Sequence, residues 1–246
     1  MSGKHHPTEG AGPTPFPETN WSGILAARDP SSPEYVDRVN RLARLYWRPV
    51  YWYIRLQWNK THEESKDLTQ AFFVQLLERD VFRHADPQRG SFRVFLKAVL
   101  KHFLLVEKRA AGRIKRGGGQ KALSLDIEEP LAPARGLTPD QTFDREWSRA
   151  IMEEAYRRLE AEAKRDRHQE AHKAFRLYYL DADATAPPSY RDVAKKVGIT
   201  EFQLQNHLYL MRQTLKRIIR ELVTDSSRCT EDVEAEMRDL LLQEPP

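Results

Sequence analysis

A run of basic side chains between residues 97 and 121 is the strongest chemical signal in the chain. It holds eight Lys or Arg residues against a single acid, Glu107. Arg93, Lys97 and Lys101 recur every four residues, so on a helix they share one face. Cations in such a row suit a phosphate backbone, with a solvated lysine face as the alternative. The residues we expect to contact phosphates are Lys97, Lys101, Lys108, Arg109, Arg113, Lys115 and Arg116.

A second group of side chains, from residue 189 to 216, has the spacing of a helix-turn-helix. Ser189 and Thr200 can each cap a helix, and Gly198 can take the positive φ of the turn between them. Ala194 is small where the helices would cross, and apolar Leu204 would hold the second helix in place. A helix corner that binds no DNA is the alternative. Amide and basic groups suited to bases and phosphates point outward at Gln203, Gln205, Asn206, Tyr209, Arg212 and Lys216.

Side chains for catalysis or metal binding are sparse. Cys229 is the only cysteine, which excludes an intramolecular disulfide framework and a thiolate zinc cluster. The sequence has neither a Gly-rich phosphate loop nor a nucleophile paired with a base. We therefore expect no enzymatic activity and no cofactor. The rival, an enzyme acting on nucleic acid, would use His84 and Asp86, or His168, Glu170 and His172.

The elements that must position these groups are helices. Apolar residues recur at helical spacing before residue 58, from 63 to 79, from Phe92 to Phe103, from 140 to 167 and again around Phe175. Pro49 predicts a kink or a helix junction, and the aromatic residues around it are predicted to pack in a core. Since no segment shows sustained strand alternation, the predicted fold is all-α, with two small helical domains joined by a flexible linker.

Composition shifts along the chain divide it into five parts. Residues 1–19 read as a disordered tail, 20–116 as a first helical domain and 117–139, rich in Gly and Pro, as the linker. Residues 140–223 form the predicted second domain. The tail at 224–246 is acidic and ends in a predicted amphipathic helix that includes Val233, Met237, Leu240 and Leu241.

Overall composition narrows the class of protein. The 246 residues are 40% hydrophobic and 31% charged, which suits small helical cores with much exposed surface. The net charge of +4 is too small to identify a nucleic-acid partner, so the placement of the charges matters more. No apolar run is long enough to cross a bilayer or resembles a secretion signal, and we expect a cytoplasmic protein.

Three segments together resemble the extracytoplasmic-function (ECF) sigma factors of bacterial RNA polymerase. The stretch 66–73, Lys-Asp-Leu-Thr-Gln-Ala-Phe-Phe, is similar to the region-two motif that docks on core polymerase. Residues 91–116 resemble the helices that hold the promoter −10 element, and 189–212 resemble region four, which reads the −35 element. The resemblance implies a non-enzymatic transcription factor with core RNA polymerase and promoter DNA as partners. It assigns polymerase docking to Asp67, Gln70 and Val74, and a place beside the −10 bases to His102.

The chain departs from the family pattern at several of these positions. Ala71 replaces a usual acid in the docking motif, while His102 and Val106 replace frequent Asn and Asp residues near the −10 pocket. Gln205, His207 and Leu210 replace frequent basic residues in the recognition helix, which predicts a weak or unusual −35 element. An anti-sigma protein or the acidic tail itself is a candidate inhibitor, and a solvated terminal helix is the alternative for the tail. The alternative function is a helix-turn-helix regulator that never docks on polymerase.

Overall fold

The computed structural model describes residues 33–78, 91–111, 136–182 and 188–224, with a few positions near 130 and between 233 and 240. All regular structure in these ranges is helical, so the all-α prediction is confirmed. The seven helices are α1 (Pro33–Trp58), α2 (His62–Glu78), α3 (Phe92–Ala111), α4 (Pro139–Arg165), α5 (Gln169–Phe175), α6 (Tyr190–Val197) and α7 (Glu201–Thr224), and a π-helical turn (Arg176–Leu180) extends α5. No described helix has the length and apolarity required to cross a bilayer.

Helix α1 runs without interruption through Pro49, where the sequence predicted a kink or a junction. Proline removes one backbone hydrogen bond there, which ordinarily disfavours a helix interior. Burial on both sides of Pro49 offsets this loss, because Tyr46, Val50 and Tyr53 are almost fully enclosed. The predicted core role of the α1 aromatic residues is therefore confirmed.

Helices α2 and α3 pack their predicted apolar faces inward. Phe72 and Leu76 of α2 are buried, as are Leu96 and Leu100 of α3. The Phe72 and Phe103 rings meet edge to face with their centroids 5.5 Å apart. These contacts fix the rotation of α3 and so determine where its basic stripe points.

Helix α4 starts at a complete capping box. The Thr138 hydroxyl accepts a hydrogen bond from the Gln141 backbone N–H, and the Gln141 side chain accepts one from the Thr138 N–H. Pro139, at the first helical position, has no N–H to leave unsatisfied. The start of α4 is thus set locally, and the helix packs against α1 through contacts that include Phe143 with Tyr46 and Glu153 with Arg48.

The C-terminal helices share their hydrophobic core with the rest of the molecule. Helix α7 contacts α4, α5 and α6, and buried residues from α1 to α7 form one continuous cluster. Val233, Met237 and Leu240 of the acidic tail join that cluster, and Glu234 lies 3.1 Å from Arg220 of α7. The parts that the sequence assigned to two domains are therefore in direct contact. The predicted linker falls largely outside the described residues.

Candidate nucleic-acid interface

The basic stripe of α3 lies against the start of α4. Lys97 Nζ is 3.0 Å from both carboxylate oxygens of Asp144, and Arg93 Nη1 is 3.4 Å from one of them. Lys101 Nζ is 3.1 Å from Asp140, whose hydrogen bond raises the pKa of the Lys101 ammonium group. Each of these three cations is therefore paired with a carboxylate of the same chain.

Aromatic rings of α4 reinforce these ion pairs. The Arg93 guanidinium sits 4.6 Å from the Trp147 ring centroid, and the Lys97 ammonium sits 5.7 Å from that of Phe143. Phe143 and Trp147 are fully buried, and Phe143 also contacts the rings of Tyr46 and Tyr53 in α1. The first turns of α4 thus cover Arg93 and Lys97 with both carboxylates and apolar surface, while Lys101 is ion-paired but half-exposed.

The end of α3 is open. His102, Lys108 and Arg109 are exposed, while Val106 is half-buried. No ion pair to α4 involves these residues in the described structure. The remaining predicted phosphate contacts, Arg113, Lys115 and Arg116, lie outside the described residues. The basic run is therefore covered at its start and accessible at its described end.

The predicted docking surface on α2 is only partly accessible. Asp67 is exposed and makes no ion pair with any described residue, whereas Gln70 is half-buried. Val74, which the sequence placed on the same outward face, is only 9% exposed. The start of α2 is held by Thr61 and Glu64, and the hydrogen bond from the Lys60 side chain lowers the pKa of the Glu64 carboxyl to about 2. Asp67 is thus an accessible acid beyond the first turn of a well-anchored helix.

Helices α6 and α7 have the local geometry that the sequence predicted. The Ser189 hydroxyl accepts a hydrogen bond from the Asp192 N–H at the start of α6. Gly198 ends that helix at φ 87°, a conformation that favours glycine over residues with a side chain. Ala194 and Leu204 are buried between the helices. These features position α7 with one face inward and the other toward solvent.

The outward face of α7 carries most of the predicted base-reading residues. Gln203 differs from the others, because its side-chain oxygen accepts hydrogen bonds from the Thr200 N–H and hydroxyl. Phe202 also lies on this face with 71% of its surface exposed. It is not among the predicted residues, because its side chain makes no hydrogen bonds. His207, at the edge of the face, lies 3.5 Å from Glu170 of α5. All the predicted base-reading residues are exposed, namely Gln203, Gln205, Asn206, Tyr209, Arg212 and Lys216.

The histidines proposed for an enzyme do not converge on a site. His168 is exposed at the start of α5, and His172 is half-buried, with its pKa lowered by desolvation. Within the described ranges, no three His, Cys, Asp or Glu side chains come close enough to hold a metal ion. His84 and Asp86 lie outside those ranges. Among the described residues, these histidines are therefore not assembled into a metal site.

Comparison with known proteins agrees with this geometry. No curated protein and no solved structure matches the chain. A family model described as ECF sigma factor matches residues 53–221, a span that includes α2, α3 and the α6–α7 pair. That match covers well over half of the chain. The chain therefore belongs to the family of ECF sigma factors.

Proposed function

We propose that the chain is a sigma factor that binds core RNA polymerase in the cytoplasm and directs transcription from a specific set of promoters. The observation that carries this proposal is the outward face of α7, where exposed amide and basic groups lie opposite the buried Leu204, Leu208 and Met211. Side chains of these types can hydrogen-bond base edges in a major groove. In this proposal, α6 and α7 form the helix-turn-helix that reads the −35 element.

Polymerase docking is assigned to the exposed face of α2. Asp67 supplies a charge that no described residue neutralises, and Gln70 lies on the same side of the helix. Val74 is buried, so its part is to support the docking helix from inside. An acid-centred surface of this kind pairs with a basic region of the partner.

Promoter phosphates near the −10 element are assigned to the basic run of α3. Lys108 and Arg109 are exposed for this role, with His102 beside them. Lys97 and Lys101 can join them only after they exchange the carboxylates of α4 for phosphates. Promoter binding would thus be coupled to the release of α4 from α3.

The distance between the promoter elements also requires this release. The −10 and −35 elements are about 25 base pairs apart, which is about 85 Å of duplex at about 3.4 Å per base pair. In the structure, α4 links α3 to α7, from Asp144 at one end to Glu162, which binds Arg217, at the other. At about 1.5 Å per residue, the path along α4 and α7 from Asp144 to Gln205 is about 45 Å. The closed chain is too short to hold both elements at once.

The acidic tail and a separate anti-sigma protein are two further regulators that the surfaces allow. The tail meets α7 through Glu234 and Arg220, in the half of the helix that follows the reading face. An anti-sigma protein would bind the closed or the open form and shift the balance between them. The contact of α4 with α3 inhibits the free chain without either of these regulators.

Co-purification with core polymerase, followed by run-off transcription, tests the proposed function. The wild-type chain should bind core enzyme and start transcription at discrete sites. Asp67→Arg should abolish co-purification while the fold survives, because Asp67 is exposed and outside the core. Glu160→Arg, which changes an exposed acid on α4, is the matched control and should bind normally. A palindromic footprint from the free protein, without polymerase, would favour the helix-turn-helix regulator instead.

A further inference from the structure

Phe202 is a large apolar side chain in an unusual place. It lies in the first turn of α7, and its 71% exposure is the highest among the large hydrophobic residues that the structure describes. The Thr200–Gln203 capping box fixes the turn that carries it, since Thr200 Oγ1 accepts a hydrogen bond from the Gln203 N–H. Its position at the helix start is therefore well defined although nothing in the described chain covers it.

The neighbours of Phe202 are the groups assigned to base reading. Gln205 and Asn206 follow at i+3 and i+4, and Tyr209, 60% exposed, follows at i+7, so all four share one face of α7. Leu204 and Leu208 face the core instead. The first turn of a recognition helix reaches base edges when the helix enters a major groove. Phe202 would then lie against the edges of the base pairs and not against the phosphates.

In the major groove, the apolar group that a base pair presents at its edge is the 5-methyl of thymine. Hydrogen-bonding side chains cannot use this group, whereas a phenyl ring can pack on it. We propose that Phe202 selects a thymine in the upstream promoter element by packing on its 5-methyl group. Asn206 or Gln205, one helical turn away, would read an adenine in an adjacent pair. The inference rests on the proposed function and adds a base preference to it.

Replacing thymine with deoxyuridine removes the methyl group and changes nothing else on the base edge. The experiment uses full-length chain bound to core polymerase and an upstream element selected from a randomised pool. Each thymine of that element is replaced singly by deoxyuridine, and promoter affinity is measured for wild-type, Phe202→Ala and Phe202→Leu chains. Loss of one buried methyl should weaken binding about fourfold.

The expected result is a single position where deoxyuridine weakens the wild-type complex and leaves the Phe202→Ala complex unchanged. Phe202→Leu, which keeps an apolar side chain, should retain part of that sensitivity. The inference is overturned if Phe202→Ala keeps every deoxyuridine effect of the wild type, or if it weakens all elements equally. Failure of the proposed function looks different, because the wild-type chain would then bind no core polymerase and select no upstream element.

Discussion

The molecule carries two rows of side chains suited to DNA, and they are in opposite states. The stripe on α3 is held against α4, with Lys97 only 18% exposed, Arg93 16% exposed and Lys101 ion-paired although 51% exposed. The face of α7 is open, and its largest side chains, Phe202 and Tyr209, point to solvent. The two rows also differ in chemistry, because α3 offers mainly charge whereas α7 offers amide, aromatic and basic groups together.

This chemical difference explains why one row is covered and the other is free. A row of cations can pair with any anions that have the same spacing. Asp140 and Asp144 are four residues apart on α4, and their partners Lys101 and Lys97 are four residues apart on α3. A mixed row such as that of α7 needs a partner with a matching pattern of donors, acceptors and apolar groups. In the proposed function, α4 therefore holds general phosphate contacts of α3 in ion pairs, and the proposed base-specific contacts of α7 stay available.

The largest expected effect comes from removing an apolar side chain of α4 that packs against the basic stripe of α3. Trp147→Ala removes a fully buried ring beneath Arg93 and should lower the free energy of unfolding by about 3–5 kcal/mol. Tyr209→Ala on the open face should change it by less than about 0.5 kcal/mol. Urea denaturation of both variants measures the difference. Similar small losses in the two variants would mean that α4 does not pack on α1 and α3 in solution.

Removing the carboxylates of the cover should expose the stripe without large loss of stability. The double variant Asp140→Asn, Asp144→Asn removes the carboxylates that pair with Lys97 and Lys101 and makes both cations available to phosphates. Because each phosphate contact contributes about 0.9 to the slope of log affinity against log salt, the slope for free chain on duplex DNA should steepen by up to about 1.8. The control variant Glu160→Gln, Asp181→Asn removes the same charge elsewhere. Equal slopes for the two double variants would contradict the covering role.

On the open face, Arg212 provides the sharper test of base reading. Arg212→Ala should cost about 1–3 kcal/mol of binding if its guanidinium makes a bidentate contact with guanine, and should relax the preference at one base position. Affinities of the holoenzyme for a set of upstream elements measure this. A uniform loss over all elements would reassign Arg212 to a phosphate contact, placing it in the same chemical class as the α3 stripe.

The smallest expected effect is a pH dependence of the free energy of unfolding, and it arises from a buried carboxyl of α4. Glu146 of α4 is buried, and burial raises the pKa of its carboxyl, although Arg149 and Arg48 oppose the shift. Since the folded chain binds this proton more tightly than the unfolded chain, stability should fall as pH rises from the usual Glu range through the raised pKa, and then level off. Glu146→Gln should remove that slope and raise the melting temperature above neutral pH. A slope unchanged in the variant would exclude Glu146 as its source.

Local features of the structure could be predicted from the sequence because each depends on a few neighbouring residues. Ser189, Gly198 and Thr200 set the limits of α6 and α7 through caps and one positive φ, all within a dozen positions. The inward faces of α2 and α3 follow from a period of 3.6 residues. The roles of individual side chains of α2, α3 and α7 in polymerase and promoter binding remain predictions.

The cover over α3 could not be predicted in this way, because it joins distant parts of the chain. Asp144 and Lys97 are 47 positions apart, and neither a helical period nor a motif links them. Val74 was misplaced because its outward position on the α2 wheel says nothing of the packing around it. Phe202 had a usable signal, because it is an apolar residue on an otherwise polar face. It was not predicted because only side chains that hydrogen-bond to bases or phosphates were expected there.

The separation of α3 from α5 in free and promoter-bound chain shows whether α4 holds α3 in the free chain and releases it on the promoter. Fluorophores on Ala98→Cys and Lys173→Cys, both exposed positions, report it by energy transfer once Cys229 is replaced by Ser. The free chain should give one short distance, and core polymerase with promoter DNA should lengthen it by about 30 Å or more, given about 3.4 Å of duplex per base pair. An unchanged distance in an active promoter complex, or a free chain that is already extended, would contradict the proposed release of α4 from α3.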